Sequence, residues 1–152
     1  MRMPGIHVRG ERGITLIEVL VVILIVGILA AIALPVFLST RSAASDADAK
    51  SNARNLASHV ELCFAPDEDF RKCQTQAGLG SNLGVPFGAG DGQVQVTAAT
   101  KLGYTIVARA ERADENGVVH TFTIERALDG TTSRSCTASQ DNDNGGCKDG
   151  TW

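Results

Sequence analysis

The sequence predicts an α+β protein in which one long N-terminal helix packs on a small antiparallel sheet. An uncharged apolar run extends from Val19 to Leu38, and an amphipathic helical pattern follows it. Further along, three short segments alternate apolar and polar residues, as half-buried strands do. The chain has 152 residues, which leaves room for one ordinary domain beside the apolar helix.

The apolar run is long enough to cross a membrane. About 20 residues at a rise of roughly 1.5 Å each form a helix of about 30 Å, which matches the thickness of the hydrocarbon layer. The residues before the run are cationic, since Arg2, Arg9 and Arg12 are opposed by Glu11 alone. By the positive-inside rule, this end of the chain stays in the cytoplasm.

One carboxylate, Glu18, lies at the head of the apolar run. An ionisable group at mid-depth in the hydrocarbon layer costs roughly 2.5 to 3.5 kcal/mol, so Glu18 requires a partner, a proton or a position near the interface. Two interpretations follow from this. Glu18 either marks the membrane boundary or has a specific role within the membrane.

The apolar run does not end as a secretory signal does. Its small residues, Ala30, Ala31 and Ala33, are followed by more apolar sequence, whereas a secretory signal places its cleavage site after the apolar stretch. A processing site therefore lies elsewhere in the chain or is absent.

The stretch Gly13-Ile14-Thr15-Leu16-Ile17-Glu18, with Gly27 and Pro35, resembles the N-terminus of type IV pilins and of the pseudopilins of type II secretion. The resemblance is close over about residues 12–37 and extends to the rest of the chain only in layout. It implies that a membrane-embedded prepilin peptidase cuts after Gly13 and methylates the new N-terminus at Ile14. The family most often has phenylalanine at the position of Ile14.

The resemblance places Glu18, Gly27 and Pro35 at the family's glutamate, glycine and proline positions. A free amine at Ile14 would be a cation in lipid, and Glu18 of a neighbouring subunit is the nearest kind of anion, so the pair favours docking in register. Gly27 and Pro35 disfavour a soluble helix by about 1 and 3 kcal/mol relative to alanine. The sequence therefore predicts a kink or local melting between them. Either this is a simple kink or, as the resemblance implies, the stretch unwinds on assembly.

The predicted organisation is a cleaved leader at residues 1–13, a transmembrane and polymerisation segment at 14–38, and a globular domain at 39–152. The formal charge of −3 becomes −5 without the leader, whose three arginines and one glutamate contribute +2. The other basic residues are scattered, and tyrosine and tryptophan occur once each. No direct nucleic-acid site is evident in this pattern.

The four cysteines indicate two disulfides, because the globular domain is predicted to lie outside the cytoplasm. Three pairings are open. The local pairing, Cys63 with Cys73 and Cys136 with Cys147, closes short loops and is preferred. Zinc is the less favoured alternative, because its ligands are usually two to four residues apart and these pairs have nine and ten residues between them.

The first part of the globular domain continues the N-terminal helix. Apolar residues recur at spacings of three and four and define one buried face: Ala49, Ala53, Leu56, Val60 and Phe64. The helix is predicted to extend from about Ile14 to Cys63, and Pro66 is predicted to end it.

Three strands follow a glycine-rich segment. Residues 78–92 predict an extended loop and contain no phosphate-binding motif. The apolar positions of the strands are Val94 and Val96, then Tyr104, Ile106 and Ala108, then Phe122 and Ile124. Asn116-Gly117 separates the second strand from the third, and Asp129-Gly130 follows the third. An antiparallel meander is the simplest topology for this order.

The tail, Ser133 to Trp152, is polar and predicts a surface loop held by its cysteine pair. Asp141 and Asp143 in this tail are candidate calcium ligands, and the resemblance to major pseudopilins, which bind calcium near the C-terminus, favours them. The EF-hand pattern, however, would require an acid at the position of Trp152. A solvated turn without a cofactor is therefore the preferred interpretation.

The sequence contains no catalytic motif: HExxH and GxSxG are absent, and His7, His59 and His120 are isolated from one another. His59 is interpreted as a surface or interface residue. An enzyme is therefore not expected.

The resemblance implies a structural subunit of a type IV pilus that self-associates into a helical filament. Its partners would be the prepilin peptidase and the pilus assembly machinery, and it would reside in the inner membrane before it joins an extracellular filament. The first alternative is the major pseudopilin of a type II secretion system, in a periplasmic pseudopilus. The second is a membrane-anchored binding domain that never polymerises, but it leaves Gly13, Ile14 and Glu18 without a role.

Overall fold

The computed structural model describes residues 13–139 and 145–152. The chain divides into two compact units, of which one ends at Val36 and the other runs from Phe37 to Trp152. We call the described residues 13–36 the N-terminal unit, and Phe37–Trp152 the head. The predicted cationic leader before Gly13 and the candidate calcium ligands Asp141 and Asp143 lie outside the described residues.

The first element is the helix α1, Leu16–Asp67, which forms the N-terminal unit and the first part of the head. It begins after Thr15, whose carbonyl and hydroxyl oxygens accept hydrogen bonds from the Glu18 amide at 3.1 and 3.3 Å. These bonds satisfy a donor that the first turn of a helix leaves unpaired. The helix begins close to the predicted start.

Two expectations for α1 are corrected by the structure. The helix is uninterrupted through Gly27 and Pro35, which excludes local melting in this single chain, whereas the alternative of a kink stays a prediction. The predicted end at Cys63 is also wrong, because the helix continues to Asp67, one residue beyond Pro66. A proline in the last turn removes only its own N–H, and the next turn still closes through a 2.8 Å bond from the Glu68 amide to the Phe64 carbonyl.

The sheet is a four-stranded antiparallel meander in the order β1-β2-β3-β4. Its strands are β1 (Val94–Ala99), β2 (Tyr104–Ala113), β3 (Val119–Arg126) and β4 (Thr132–Thr137). The central register pairs Ile106 with Ile124. The turn between β2 and β3 uses Gly117 at φ +77°, a left-handed conformation that glycine adopts without steric cost. The predicted meander is confirmed.

The fourth strand corrects the prediction that the whole tail is a loop. Strand β4 pairs with β3 from Thr121↔Thr137 to Arg126↔Thr132, so the first part of the tail belongs to the sheet. Sequence alternation missed it because β4 is an edge strand whose side chains are largely exposed on both faces. The far end of the tail also packs inward, since Trp152 contacts the hydrophobic core.

The core of the head lies between α1 and one face of the sheet. Four residues of the predicted helical stripe are buried, namely Ala49, Ala53, Leu56 and Val60. They face the inward positions of the strands, which are Val94, Val96, Tyr104, Ile106, Ala108, Phe122 and Ile124. Burying one large apolar side chain contributes about 1.5 to 3 kcal/mol. The helix–sheet packing therefore holds the head together.

The segment between α1 and β1 closes one end of this core. A 3-10 turn, Phe70–Cys73, inserts the buried Phe70 ring between Phe64 at 4.1 Å and Tyr104 at 4.9 Å. Helix α2, Gln76–Leu79, follows and occupies the start of the predicted extended loop. The loop itself is therefore shorter than the glycine content suggested.

Two disulfides link local segments, Cys63 with Cys73 and Cys136 with Cys147. The second ties the end of β4 to the C-terminal segment, across a sequence separation of 11 residues. Cys147 and Cys73 are fully buried, whereas their partners are half-buried.

Replacing Cys136 and Cys147 together with serine is expected to lower the free energy of unfolding by about 2 to 3 kcal/mol, because a short closed loop restricts the unfolded chain. Chemical unfolding of the full chain in detergent, followed by the fluorescence of the single tryptophan, Trp152, would measure the change. An unchanged unfolding midpoint would show that this disulfide does not stabilise the head.

Candidate functional site

The described residues of the N-terminal unit are helical from Leu16 onward and expose their apolar side chains. Every large apolar residue from Ile14 to Leu38 is at least 45% exposed. The helix is long and apolar enough to cross a membrane, as judged by its length and composition. Water would be a poor solvent for such a continuous surface, so it requires either lipid or other protein chains around it.

Glu18 lies in the first turn of α1, with an exposed side chain. Its backbone amide contributes to the helix start through Thr15, but the ion pairs among the described residues do not include its carboxylate. A carboxylate near the N-terminus of a helix is favoured by the helix dipole, typically by a few tenths of a kcal/mol up to about 1 kcal/mol. This carboxylate is therefore available to a cation from outside the folded chain.

Gly27 provides a notch in the apolar helix. A shallow groove is lined by Gly27 with Leu20, Ile23, Leu24 and Ile28. A Cβ atom added at Gly27 would meet no other atom within 4 Å, so the packing of this chain does not require a glycine there. Small residues at such positions let a second helix approach closely, which is the usual use of glycine in membrane helices.

The peptide bond between Gly13 and Ile14 precedes α1 in exposed backbone that belongs to no helix or strand. Ile14 is 75% exposed, and a Cβ atom at Gly13 would also meet nothing within 4 Å. Folding of the chain therefore imposes no requirement for glycine at residue 13. Pro35 lies farther along α1, in the same exposed stretch.

The other candidate site residues that the structure describes lie in the head. The four cysteines are in the head as two disulfides. Within residues 13–139 and 145–152, no group of three or more His, Cys, Asp or Glu side chains could hold a metal ion. His7 lies outside the described residues, and His59 is half-buried on α1.

A buried polar cluster in the head contains His120, a histidine that is isolated from the other histidines in sequence. Nδ1 of His120 lies 2.9 Å from Oδ2 of Asp46 on α1, and Nε2 lies 3.2 Å from Oδ2 of Asp114, after β2. All three side chains are at most 3% exposed. Ionised carboxylates only accept hydrogen bonds, so both contacts are satisfied when the ring donates from both nitrogens.

Further residues of α1, of β2 and of the C-terminal segment surround this cluster. The Lys50 ammonium donates to the Gly145 carbonyl, and the Ser45 hydroxyl accepts the amides of Glu111 and Arg112 at 2.7 and 3.0 Å. Gly145 lies directly against the Asp46 carboxylate, where a Cβ atom would clash. The cluster therefore joins α1, the β2–β3 connection and the C-terminal segment.

The two carboxylates of the cluster have opposite pKa shifts. Burial raises the pKa of Asp46, and this outweighs the lowering by the hydrogen bond with His120. The pKa of Asp114 is held well below its usual value, chiefly by a hydrogen bond with the Ser139 side chain, with further bonds from the Val118 amide, His120 and the Asn116 amide.

The alternation of buried and exposed positions along β3 could have predicted that His120 is buried. His120, Phe122 and Ile124 occupy positions i, i+2 and i+4, which places them on the same face of the strand. Phe122 and Ile124 mark that face as buried, and two residues before Phe122 the same face includes His120. The two acids that contact His120 are distant in sequence, so the pattern does not predict them.

Lowering the pH below about 4 is expected to weaken the head through Asp114. Because its folded pKa lies below the unfolded value of 3.8, its contribution is complete above that pH and is lost as the pH falls. Asp46 has the opposite sign, since its raised pKa gives a contribution that is complete below 3.8 and is lost as the pH rises. Unfolding by urea at several pH values should therefore show that the free energy of unfolding falls less at low pH for Asp114→Asn than for the unmodified chain.

Asp46→Asn is the matched comparison for this pH prediction. In this variant the free energy of unfolding should still fall at low pH, because Asp114 is unchanged. It should fall less than in the unmodified chain as the pH rises, because the Asp46 carboxyl is gone. If the free energy of unfolding fell equally at low pH in the Asp114→Asn variant and in the unmodified chain, Asp114 would not be the source of the pH dependence.

Comparison with known proteins agrees with the geometry of the N-terminal unit. The family model described as the prokaryotic N-terminal methylation motif matches residues 8–34. The chain is 32% identical over 104 residues to the type IV major pilin protein PilA of Myxococcus xanthus. That alignment covers 64% of this chain and 47% of the relative, so the chain spans about half the length of PilA.

A second relative aligns over nearly its whole length. The chain is 29% identical over 153 residues to the type IV major fimbrial protein FimA of Dichelobacter nodosus, an alignment that covers 91% of this chain and 97% of FimA. The methylation motif and both relatives support the type IV pilin family for this chain.

Proposed function

We propose, on the basis of this support for the type IV pilin family, that the chain is a structural subunit of a type IV pilus filament. In this proposal, prepilin peptidase cuts after Gly13 and methylates Ile14, and residues 14–38 then drive assembly. The observation that carries the proposal is the continuous exposure of large apolar side chains along the N-terminal unit of a chain whose head packs separately.

The exposed apolar segment has two environments that suit it. Before assembly, the hydrocarbon layer of the inner membrane surrounds it, because the segment is long enough to span that layer. In a filament, the same segments from neighbouring copies cover one another. Removal of apolar surface from water contributes about 25 cal/mol per Å², so many such contacts make a robust polymer without covalent links.

Glu18 provides the register for this assembly. Cleavage would create a positive amine at Ile14 of each copy, and no described cation of the same chain forms an ion pair with Glu18. In an apolar filament interior, the amine of one copy and the carboxylate of its neighbour would neutralise each other. A copy docked out of register would leave both charges buried and unpaired, which is strongly unfavourable.

The notch at Gly27 supports close helix contact in the filament. Since nothing within the chain fills the space beside Gly27, a helix from another copy can approach its backbone there. The two disulfides of the head suit exposure outside the cytoplasm, where thiols are oxidised.

The location of the assembled protein tests this function. Cells of the source organism would be sheared, and the released material examined by electron microscopy with an antibody against the head. The proposal predicts labelled filaments on the cell surface and their loss when the gene is deleted. A processed chain found only in the membrane and periplasm would contradict a pilus and favour a pseudopilus.

A further inference from the structure

A positively charged surface lies where α1 meets β4. The guanidinium carbon of Arg54 is 4.9 Å from the centre of the Trp152 ring, and that of Arg134 is 5.3 Å from it. The ring is fixed by an edge contact with Phe122 at 5.7 Å and by a 3.3 Å hydrogen bond from its N–H to the Thr123 carbonyl. We call Arg54, Arg134 and Trp152 the cationic seam.

The charges of the seam are not compensated within the described residues. No described carboxylate lies within 4.0 Å of either guanidinium, whereas Arg71, Lys72, Arg109 and Arg126 each pair with an acid. The Lys50 ammonium, one turn before Arg54, lies 5.0 Å from the Phe122 ring. Burial, and secondarily the charge of Arg54, lowers the pKa of Lys50. Among the residues that the structure describes, the seam is therefore a local excess of positive charge.

A group of acidic residues, opposite in charge to the cationic seam, lies at the C-terminal end of α1. Asp67, Glu68 and Asp69 form an acidic run where the helix ends. Asp67 pairs with Lys72 at 3.0 Å and Asp69 with Arg71 at 2.6 Å, but no ion pair of the described residues includes Glu68. The Glu68 side chain is exposed, and its backbone amide is held by the Phe64 carbonyl.

Arg54 is too far along α1 from the acidic run to reach it within one chain, and no ion pair of the described residues joins Arg134 to that run. Arg54 and Glu68 are 14 positions apart, which is about 20 Å along a helix. Two complementary patches at different places on one chain can form a head-to-tail contact between copies. When such a contact does not close into a ring, it produces an open helical filament.

We propose that the cationic seam of one copy binds the acidic run of the next copy in the filament, with Glu68 as the central partner. This inference rests on the proposed function as a filament subunit. Arginine suits the contact because its planar guanidinium binds a carboxylate through two parallel hydrogen bonds. Contact with the Trp152 indole holds both guanidiniums in place, so little side-chain freedom is lost on binding.

A charge exchange tests the contact directly. Arg134→Glu and Glu68→Arg would be made singly and together in the full chain, and filaments sheared from cells would be quantified. Each single variant should reduce the filament yield by about fivefold, equivalent to the loss of about 1 kcal/mol at each contact. The double variant restores opposite charges across the contact and should recover most of the yield.

Two controls separate folding from assembly. Glu115→Lys reverses an exposed charge in the turn between β2 and β3, outside both the seam and the acidic run, and should leave the yield unchanged. The emission of Trp152 in the purified chain should stay the same in Glu68→Arg, which lies away from the seam. Glu68 lies in the acidic run and does not contact Trp152. The Glu68→Arg variant therefore still tests the contact if Arg134→Glu disturbs the packing of Trp152.

Equal filament yields in all variants would overturn the contact while leaving the filament function intact. Failure of the double variant to recover would overturn it as well. If heparin changed Trp152 emission while the yields of all variants stayed equal, the seam would instead bind an external polyanion. Absence of filaments from the unmodified chain would contradict the proposed function itself.

Discussion

Glu18→Ala is expected to leave cleavage after Gly13 intact and to reduce the yield of filaments by at least about a hundredfold. Removing one partner of a buried ion pair costs about 3 to 5 kcal/mol, and every copy in the filament would carry that defect. The Glu18 contact with Thr15 uses the backbone amide, so the substitution leaves the helix start in place. Electron microscopy and immunoblotting of sheared material would measure the loss.

Glu18→Asp is the matched control for this prediction. It keeps the charge and shortens the side chain by one methylene, so it should retain more filaments than the alanine variant. Mass analysis of the membrane fraction should show the same processed chain in all three proteins. Normal filaments from Glu18→Ala would show that this carboxylate does not direct assembly.

His120→Ala is expected to destabilise the head by about 3 to 5 kcal/mol, because it leaves the carboxylates of Asp46 and Asp114 buried without the group that joins them. The substitution also creates a cavity among residues that are almost completely buried. Urea unfolding of the full chain in detergent at neutral pH, followed by Trp152 fluorescence, would measure the change.

His59→Ala provides the comparison on the same protein. His59 is half-buried on α1, and its substitution should change the free energy of unfolding by less than about 1 kcal/mol. A His120→Ala variant as stable as His59→Ala would indicate that the buried cluster does not stabilise the head.

The fold was predictable from sequence where one residue pattern repeats over a long segment. The apolar stripe that begins at Ala49 and the alternation in β1, β2 and β3 each mark a buried face, and the structure buries those faces together. The Asn116-Gly117 pair predicted the turn between β2 and β3, where Gly117 adopts a positive φ. In these elements, local pattern and tertiary packing agree.

Strand β4 and the cluster around His120 depend on contacts between distant residues. Strand β4 is polar on both faces, so only its hydrogen bonds to β3 identify it. Asp46 and Asp114 meet His120 across 74 and 6 residues of sequence, and no short motif encodes the first of these contacts. The inward packing of Trp152 also requires the finished sheet.

The candidate assembly segment was predictable to a larger extent, because its chemistry is contained within one helix. Glu18, Gly27 and Pro35 are exposed along α1, and nothing in the rest of the chain is needed to present them. The absence of local melting around Pro35 could not have been predicted from residue preferences alone. A helix tolerates one proline when its other backbone hydrogen bonds remain.

The mass of the chain in sheared extracellular filaments tests the central claim most directly. The account predicts a chain that begins at Ile14, carries one added methyl group on its N-terminus and has all four cysteines oxidised. Filaments that contain the chain with residues 1–13 still attached would contradict assembly through a cleaved N-terminus and the charge pair between Ile14 and Glu18.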